Sequence, residues 1–406
     1  MNYGHLARLL PVAQRLKADG ETVLVAVRDL HAASVVLGPA GIPFVQAPHL
    51  PQGLPLDHRA AGYSDILLSQ GWADRAALSG LVHGWLNLFQ LFRPDRLLLD
   101  YSPTVSLAAR IARISPVLVG NGFELPPVTD PLPPFPGFSW ATADAAANSE
   151  RRAVDNANGI LRMFQGPQLC ALSEIFTDAR RLYATFPELD HYGARPDARY
   201  IGPLLGKLKA PKVDWPAGEG PKIFACLRPD TNHVQEILAA LAQIPARVVC
   251  VASGFTPAQL QPHAMKHIRF SLLPVDFQPL LDADLCISYG AEGTTMRFLM
   301  AGVPQLIAPW HVEAYMSGRR IEAARLGAIL PETCDERNIA ETAQRMAGDC
   351  NSRAWLGSFA NHSKRFDSDR AVSSVVRESL ERVAFGSAST VSMGGQCSRK
   401  TAHVTS

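Results

Sequence analysis

Apolar positions along this chain follow two alternating rhythms. Short continuous runs, as at Lys222–Leu227, Arg247–Ala252 and Leu285–Ser288, predict strands buried on both faces of a parallel sheet. Between such runs the apolar residues recur at helical spacing. Leu6, Leu9, Leu10, Ala13 and Leu16 mark one face of a first helix, and Asp19-Gly20 ends it with glycine in the C-terminal capping position. Residues 1–5 read as a loop, followed after that helix by a strand at 22–27, a helix at 32–37 and a strand at 42–45. Residues 50–90 read as helical with aromatic insertions (Tyr63, Trp72, Trp85, Phe89, Phe92), then come a strand at 94–100, a helix at 102–113 and a strand at 116–120. The proline-rich segment 123–140 has no period and is too long for a plain connector, which predicts a binding loop. A polar helix at 141–164 and short strands at 182–187 and 200–203 complete the first half.

At 204–221 the composition shifts to Lys, Pro and Gly without periodicity, the best candidate for a linker. A second run of alternating strands and helices follows: helices at 234–241, 314–326, 339–346, 352–359 and 367–385, a strand edge at 267–270 and one helical turn at 277–281. At 406 residues the chain is too long for one ordinary core. The reading is an α/β protein with two parallel-sheet domains, 1–204 and 222–384, a linker at 205–221 and a disordered Ser/Thr/Gly-rich tail at 385–406. No apolar strand precedes the loop at Gly4-His5, although a doubly wound sheet places its first strand at the centre. The expectation is that Met1 is a mis-assigned start or a fragment boundary, which the upstream coding DNA would test.

Charge and cysteine content narrow the function classes. A net charge of +2 gives no electrostatic case for nucleic acid. No apolar run is long enough to span a membrane and no signal peptide is evident, while peripheral membrane contact stays open. The seven cysteines are scattered without C-x-x-C pairs, and Cys226, Cys250 and Cys286 fall in apolar strands, as buried thiols of a reducing, cytoplasmic compartment would.

The chemistry centres on residues 285–309. A strand at Leu285–Ser288 leads into a turn with Gly290 and Gly293, then a helix that Thr294 or Thr295 can cap, a Gly302-Val-Pro304 break and another strand. A helix N-terminus on such a turn points free N–H groups and partial positive charge at a phosphate. That arrangement alone is also a common structural joint. The longer string Gly290-x-x-Gly293-Thr-Thr, Ala301-Gly-Val-Pro304, Pro309, Glu313 and Arg319 closely resembles the nucleotide-sugar motif of family 1 UDP-glycosyltransferase-like enzymes of the bacterial macrolide type.

The resemblance implies a GT-B fold of two Rossmann-like domains facing across a cleft. Acceptor binding would fall to the N-terminal domain and a nucleotide sugar, expected as a UDP-sugar, to the C-terminal one, with no other cofactor. It makes His5 the base that deprotonates the acceptor hydroxyl and Asp100 the carboxylate that orients it. His5 at a helix N-terminus is disfavoured as a cation and suited to act as a neutral base, or else is a solvated helix-start residue. Asp100 ends a strand, where α/β proteins gather functional groups, or else caps the helix from Ser102. Backbone around Gly293, Thr294 and Thr295 would hold the diphosphate. Arg228, after the strand at Lys222–Leu227, would add a phosphate contact or lie solvated in its loop. No Asp-x-Asp metal motif is evident near a strand end, which points to a metal-independent mechanism; the resemblance implies an inverting transfer, and the aromatic and proline-rich segments 50–92 and 123–140 suggest a small apolar acceptor.

Departures from the family pattern concentrate in the donor site. Tyr289 replaces a phosphate-binding histidine, Ala291 a glycine, Arg297 a ribose-binding glutamate and Ala314 a sugar-binding glutamine, while Glu313 is kept. A guanidinium cannot accept from a diol, so Arg297 suits an acidic or extra phosphate group instead. The alternatives are a different donor, weak donor binding, or a decayed site in a non-catalytic nucleotide-binding protein. An epimerase on the same fold would need acidic and histidine groups in the donor domain that the sequence does not identify.

Overall fold

A computed structural model describes residues 3–206 and 210–381. Met1, Asn2 and the predicted tail at 385–406 lie outside the described residues. Among them stand eleven strands: β1 Val25–Val27, β2 Phe44–Gln46, β3 Leu98–Asp100, β4 Val117–Gly120, β5 Arg180–Tyr183, β6 Lys222–Leu227, β7 Arg247–Ala252, β8 Ile268–Ser271, β9 Leu285–Ser288, β10 Gln305–Ile307 and β11 Gly327–Ile329. Helices alternate with them, and every strand pair of the largest sheet is parallel.

The described residues divide into two compact units. One is Met1–Gln46 with Gly120–Glu124 and Leu182–Arg377; the other is Ala47–Val119 with Leu125–Arg181 and Glu378–Ser406. This partition differs from the sequence-based division at 205–221. Segments 1–46, 120–124 and 182–204 group with the second half of the chain because their side chains and carbonyls bond to it, as described below, which a composition shift does not report.

The first unit holds a six-stranded sheet in the order β11-β10-β9-β6-β7-β8. From central β6 the chain winds outward through β7 and β8, then returns to β9 on the other side of β6 and winds out through β10 and β11. The reversal between β6 and β9 is the switch point at which doubly wound sheets bind ligands. Both faces of the sheet are covered. Ile223, Ala225, Val248, Leu285 and Ile287 pack under the helices Val234–Gln243 and Glu336–Gly348. On the opposite face Phe224 stacks on Phe298 with ring centroids 4.6 Å apart, and Phe277 meets both rings edge-on. Continuous apolar runs in β6, β7 and β9 follow from this double burial. The same unit carries the parallel pair β1–β2, under helices Tyr3–Ala18 and Leu30–Val36.

The second unit is largely helical, with helices Tyr63–Leu67, Arg75–Phe92, Pro103–Ala112 and Ala143–Met163. Residues 47–62 are not helical as expected. Buried Asp65 instead draws that segment in, accepting from the N–H groups of Ala61 and Gly62 at 2.7 and 3.1 Å. Strand order β3-β4-β5 makes a separate three-stranded sheet. Cys250 and Cys286 are buried as expected, whereas Cys226 is half-buried. Among the described residues no helix is long and apolar enough to cross a membrane.

Candidate active site

The turn after β9 is built by backbone. Gly290 has φ +88°, and a Cβ there would lie 3.0 Å from the Ala314 Cβ, so both conformation and space select glycine. Helix Glu292–Met300 begins after Ala291, which is its N-cap without a side-chain hydrogen bond. The expected threonine cap is therefore corrected: Thr294 and Thr295 lie within the helix and are buried. The Thr294 hydroxyl bonds the Cys226 thiol on the sheet. Thr295 lines a cavity of about 20 Å³ with His191, Met296 and Ser317, room for one or two waters and no ligand. His191, hydrogen-bonded to Ser317 at 2.8 Å, is held neutral there, since burial lowers its pKa to about 3. What the turn leaves outward is N–H groups, with open space where a Gly293 side chain would be.

Around the turn, Arg228 follows β6 and pairs with Asp230 at 3.0 Å. Its guanidinium lies 5.9 Å from the Tyr289 ring centre and 5.3 Å from that of Trp310. Tyr289 is thus coupled to a cation that it does not itself carry, and burial pushes its phenol pKa up. Arg297 does not serve the turn. It donates to the Gly206 carbonyl at 2.5 Å and lies over the Phe277 ring, and burial lowers its pKa. Gly206 in turn lies against Ala7, so closely that a Cβ would come 1.9 Å from the Ala7 carbonyl oxygen. Pro11, four residues on, has no N–H for that carbonyl. Arg297 is thereby an anchor that ties helix Tyr3–Ala18 to the helix of the turn.

That first helix starts at Tyr3, not after His5 as expected, so Gly4 and His5 occupy its first turn. His5 Nδ1 lies 3.7 Å from Oε1 of Glu124. Arg8, one turn on, donates to Glu124 Oε2 at 2.6 Å and to Glu292 at the start of the turn helix. Asn121 donates its side-chain amide to Glu313 at 3.0 Å. The unit therefore gathers His5, Arg8, Glu124, Glu292 and Glu313. Burial, then the Glu124 charge, raises the pKa of Glu313 to about 7, with Glu292 adding to the rise and Asn121 and His5 opposing it. Near neutral pH Glu313 is then partly a neutral acid, able to donate as well as accept. Asp100 ends β3, in the other compact unit. At the opposite end of the six-stranded sheet an Asp-x-Asp string does stand at a strand end, contrary to expectation, directly before β9; it is occupied internally, since Asp282 accepts from Lys222 and Trp215 and Asp284 accepts from the Lys222 N–H.

Comparisons with known proteins fit this architecture. No protein-family model matches the chain. The chain is 26% identical to L-demethylnoviosyl transferase of Streptomyces niveus over 408 residues, 93% of this chain and 94% of that one. It is 25% identical over 265 residues to a PGL/p-HBAD biosynthesis glycosyltransferase of Mycobacterium tuberculosis, covering 58% of this chain and 59% of the relative. The match thus spans about three fifths of the mycobacterial protein's length. Among solved structures, the calicheamicin glycosyltransferase CalG4 superposes with a TM-score of 0.70 at 18% identity, over 93% of this chain and 96% of that one. The spinosyn rhamnosyltransferase SpnG complexed with thymidine diphosphate gives 0.64 at 15%, over 92% and 97%. The fold is GT-B.

Within this GT-B chain the sequence reading missed Arg8, Asn121, Glu124 and Glu292. Two signals were present. Arg8 stands three residues after His5, hence on the same helix face. Glu124 stands four residues past the end of β4, where parallel strands deliver functional groups. Glu292 lies inside the motif at a position where the pattern accepts any residue, so it carried no signal.

Proposed function

We propose that the protein is an inverting glycosyltransferase. It moves a sugar from a nucleoside diphosphate donor to a hydroxyl of a small, largely apolar acceptor, without a metal. The observation that carries this reading is the bond of Arg8 to both Glu124 and Glu292. It fixes the helix bearing His5 to the helix of the diphosphate turn, so base and anion site belong to one rigid arrangement. His5 takes the acceptor proton, and the acceptor oxygen forms its bond to the anomeric carbon as the bond to the diphosphate breaks on the opposite side. N–H groups at the start of helix Glu292–Met300, with Arg228, stabilise the charge on the leaving diphosphate. Glu313 binds sugar hydroxyls. The second unit, with its aromatic and proline-rich segments, supplies acceptor binding.

The names of relatives support a sugar-transfer chemistry. The thymidine diphosphate held by SpnG favours a pyrimidine nucleotide and sets thymidine donors beside the UDP-sugars expected from the sequence. A second reading, a non-catalytic nucleotide-binding protein, is favoured by Arg297. The residue at the ribose position is spent on Gly206. A thermal-shift screen against UDP- and TDP-sugars, followed by product analysis with the best binder and a panel of aromatic and macrocyclic alcohols, separates the two. Donor-dependent glycoside formation supports transfer; a raised Tm with no product from any pair supports the binding protein.

A further inference from the structure

Glu124 is a buried acid that the donor motif does not contain, and the chain is built to hold it. We propose that Glu124 is a positioning residue for His5: it orients the imidazole and stabilises the imidazolium formed when the ring takes a proton. The catalytic meaning of this pairing rests on the glycosyl-transfer reading; the pairing itself does not.

Three features hold the carboxylate. Its Oε2 is taken by Arg8 at 2.6 Å and by the Asn121 N–H at 2.7 Å, which leaves Oε1 to face His5 Nδ1 at 3.7 Å. The Asn121 side chain accepts from the N–H groups of Phe123 and Glu124 at 2.9 and 3.1 Å, closing the loop that turns Glu124 back. Gly120 leaves room for it. A Cβ at that position would come 2.6 Å from Glu124 Oε2 and 2.9 Å from Glu124 Cβ. At 3.7 Å the pair is an electrostatic contact, longer than a hydrogen bond, which shortens as the ring becomes charged. From this unit, Glu124 faces the ring and Glu313 interacts with it electrostatically, while Arg8, one turn along the same helix, pairs with Glu124 and Glu292. Arg8 opposes protonation of His5. Within this unit, Glu124 is the carboxylate that faces the ring and offsets it.

The test follows ring-labelled histidine by NMR across pH in the wild type, Glu124→Gln and Gly120→Ala. Glu124→Gln is expected to lower the His5 midpoint by about one unit. The acid limb of kcat/KM moves down by the same amount, kcat falls roughly 10- to 100-fold, and the donor Kd changes less than about twofold. Gly120→Ala keeps every charge but displaces the carboxylate, so it lowers the midpoint as well and decides the matter where Glu124→Gln does not fold. An unchanged His5 midpoint in a folded variant overturns the proposal. The NMR readout needs no turnover. A protein that shows the shift and transfers no sugar keeps the pairing and loses the glycosyltransferase reading; one that transfers sugar without the shift does the reverse.

Discussion

Two regions of one compact unit form the candidate site, and they are made in opposite ways. The turn proposed to hold the diphosphate is a single contiguous segment, β9 to β10, built on backbone N–H groups and two glycines. The carboxylate cluster is assembled from residues 5–8, 121–124, 292 and 313, and its function lies in side chains. On the proposed function, the contrast describes a donor site that keeps its backbone grip while its side-chain recognition changes. Positions 289, 297 and 314 no longer carry the usual polar groups. Arg297 has become an anchor, and acidic groups from elsewhere stand beside the turn. Three carboxylates beside the proposed diphosphate site conflict with that ligand unless their charge is reduced. Arg8 offsets much of it, and the raised pKa of Glu313 reduces it further.

Breaking the cluster is expected to have the largest effect. Arg8→Met leaves Glu124 and Glu292 without their cation. Since Arg8 and Glu124 are both buried, the cost is about 3–5 kcal/mol in urea unfolding. A loss below about 1 kcal/mol would mean the pairs are solvent-screened and contribute little.

Breaking the turn separates its two glycines. Gly290→Ala forces a side chain into left-handed backbone and against Ala314, and is expected to destabilise by about 1–2 kcal/mol. Gly293→Ala meets open space and should leave stability within about 1 kcal/mol while weakening nucleotide binding by calorimetry. Equal behaviour of the two variants would contradict a turn in which one glycine serves the fold and the other the ligand.

The pH dependence sharpens the comparison. The pKa of Glu313 is raised in the folded state, from 4.5 to about 7, so its contribution to stability is fully present below pH 4.5 and is lost as pH rises through 7. Discounted for partial exposure, the change is about 1–2 kcal/mol. Glu313→Gln should flatten unfolding free energy across this window and be the more stable protein at pH 8. A wild-type profile already flat between pH 5 and 8 would remove the basis for a neutral Glu313. The smallest expected effect is that of Tyr289→Phe, which removes one hydroxyl bonded to Arg228. A loss of about 1 kcal/mol in nucleotide affinity is expected, read as a roughly fivefold rise in Kd.

Much of the fold was legible because double burial leaves continuous apolar runs. The bounds of β6, β7 and β9 are those read from the sequence. The short edge strand β11 was not read, since Gly327 looked only like a helix stop. The first helix is already formed at Tyr3, with Gly4 and His5 in its first turn, so the expected loop there is absent among the described residues. The threonines after Gly293 looked like caps, but the helix had already begun at Glu292, and their hydroxyls were drawn toward Cys226 and the small cavity. For the site, the backbone devices were visible because they are local. Glu124 and Arg8 were not, because their roles depend on segments about 116 residues apart meeting through tertiary packing.

The central claim is that this unit couples a base on the first helix to a diphosphate site on the turn. The most direct measurement is sugar transfer by wild type and His5→Ala, with nucleotide affinity measured on the same preparations. The account predicts a loss of about 10²- to 10⁴-fold in kcat with donor Kd nearly unchanged. Wild-type protein that binds nucleotide yet turns over no donor, or a His5→Ala variant as active as wild type, would contradict it.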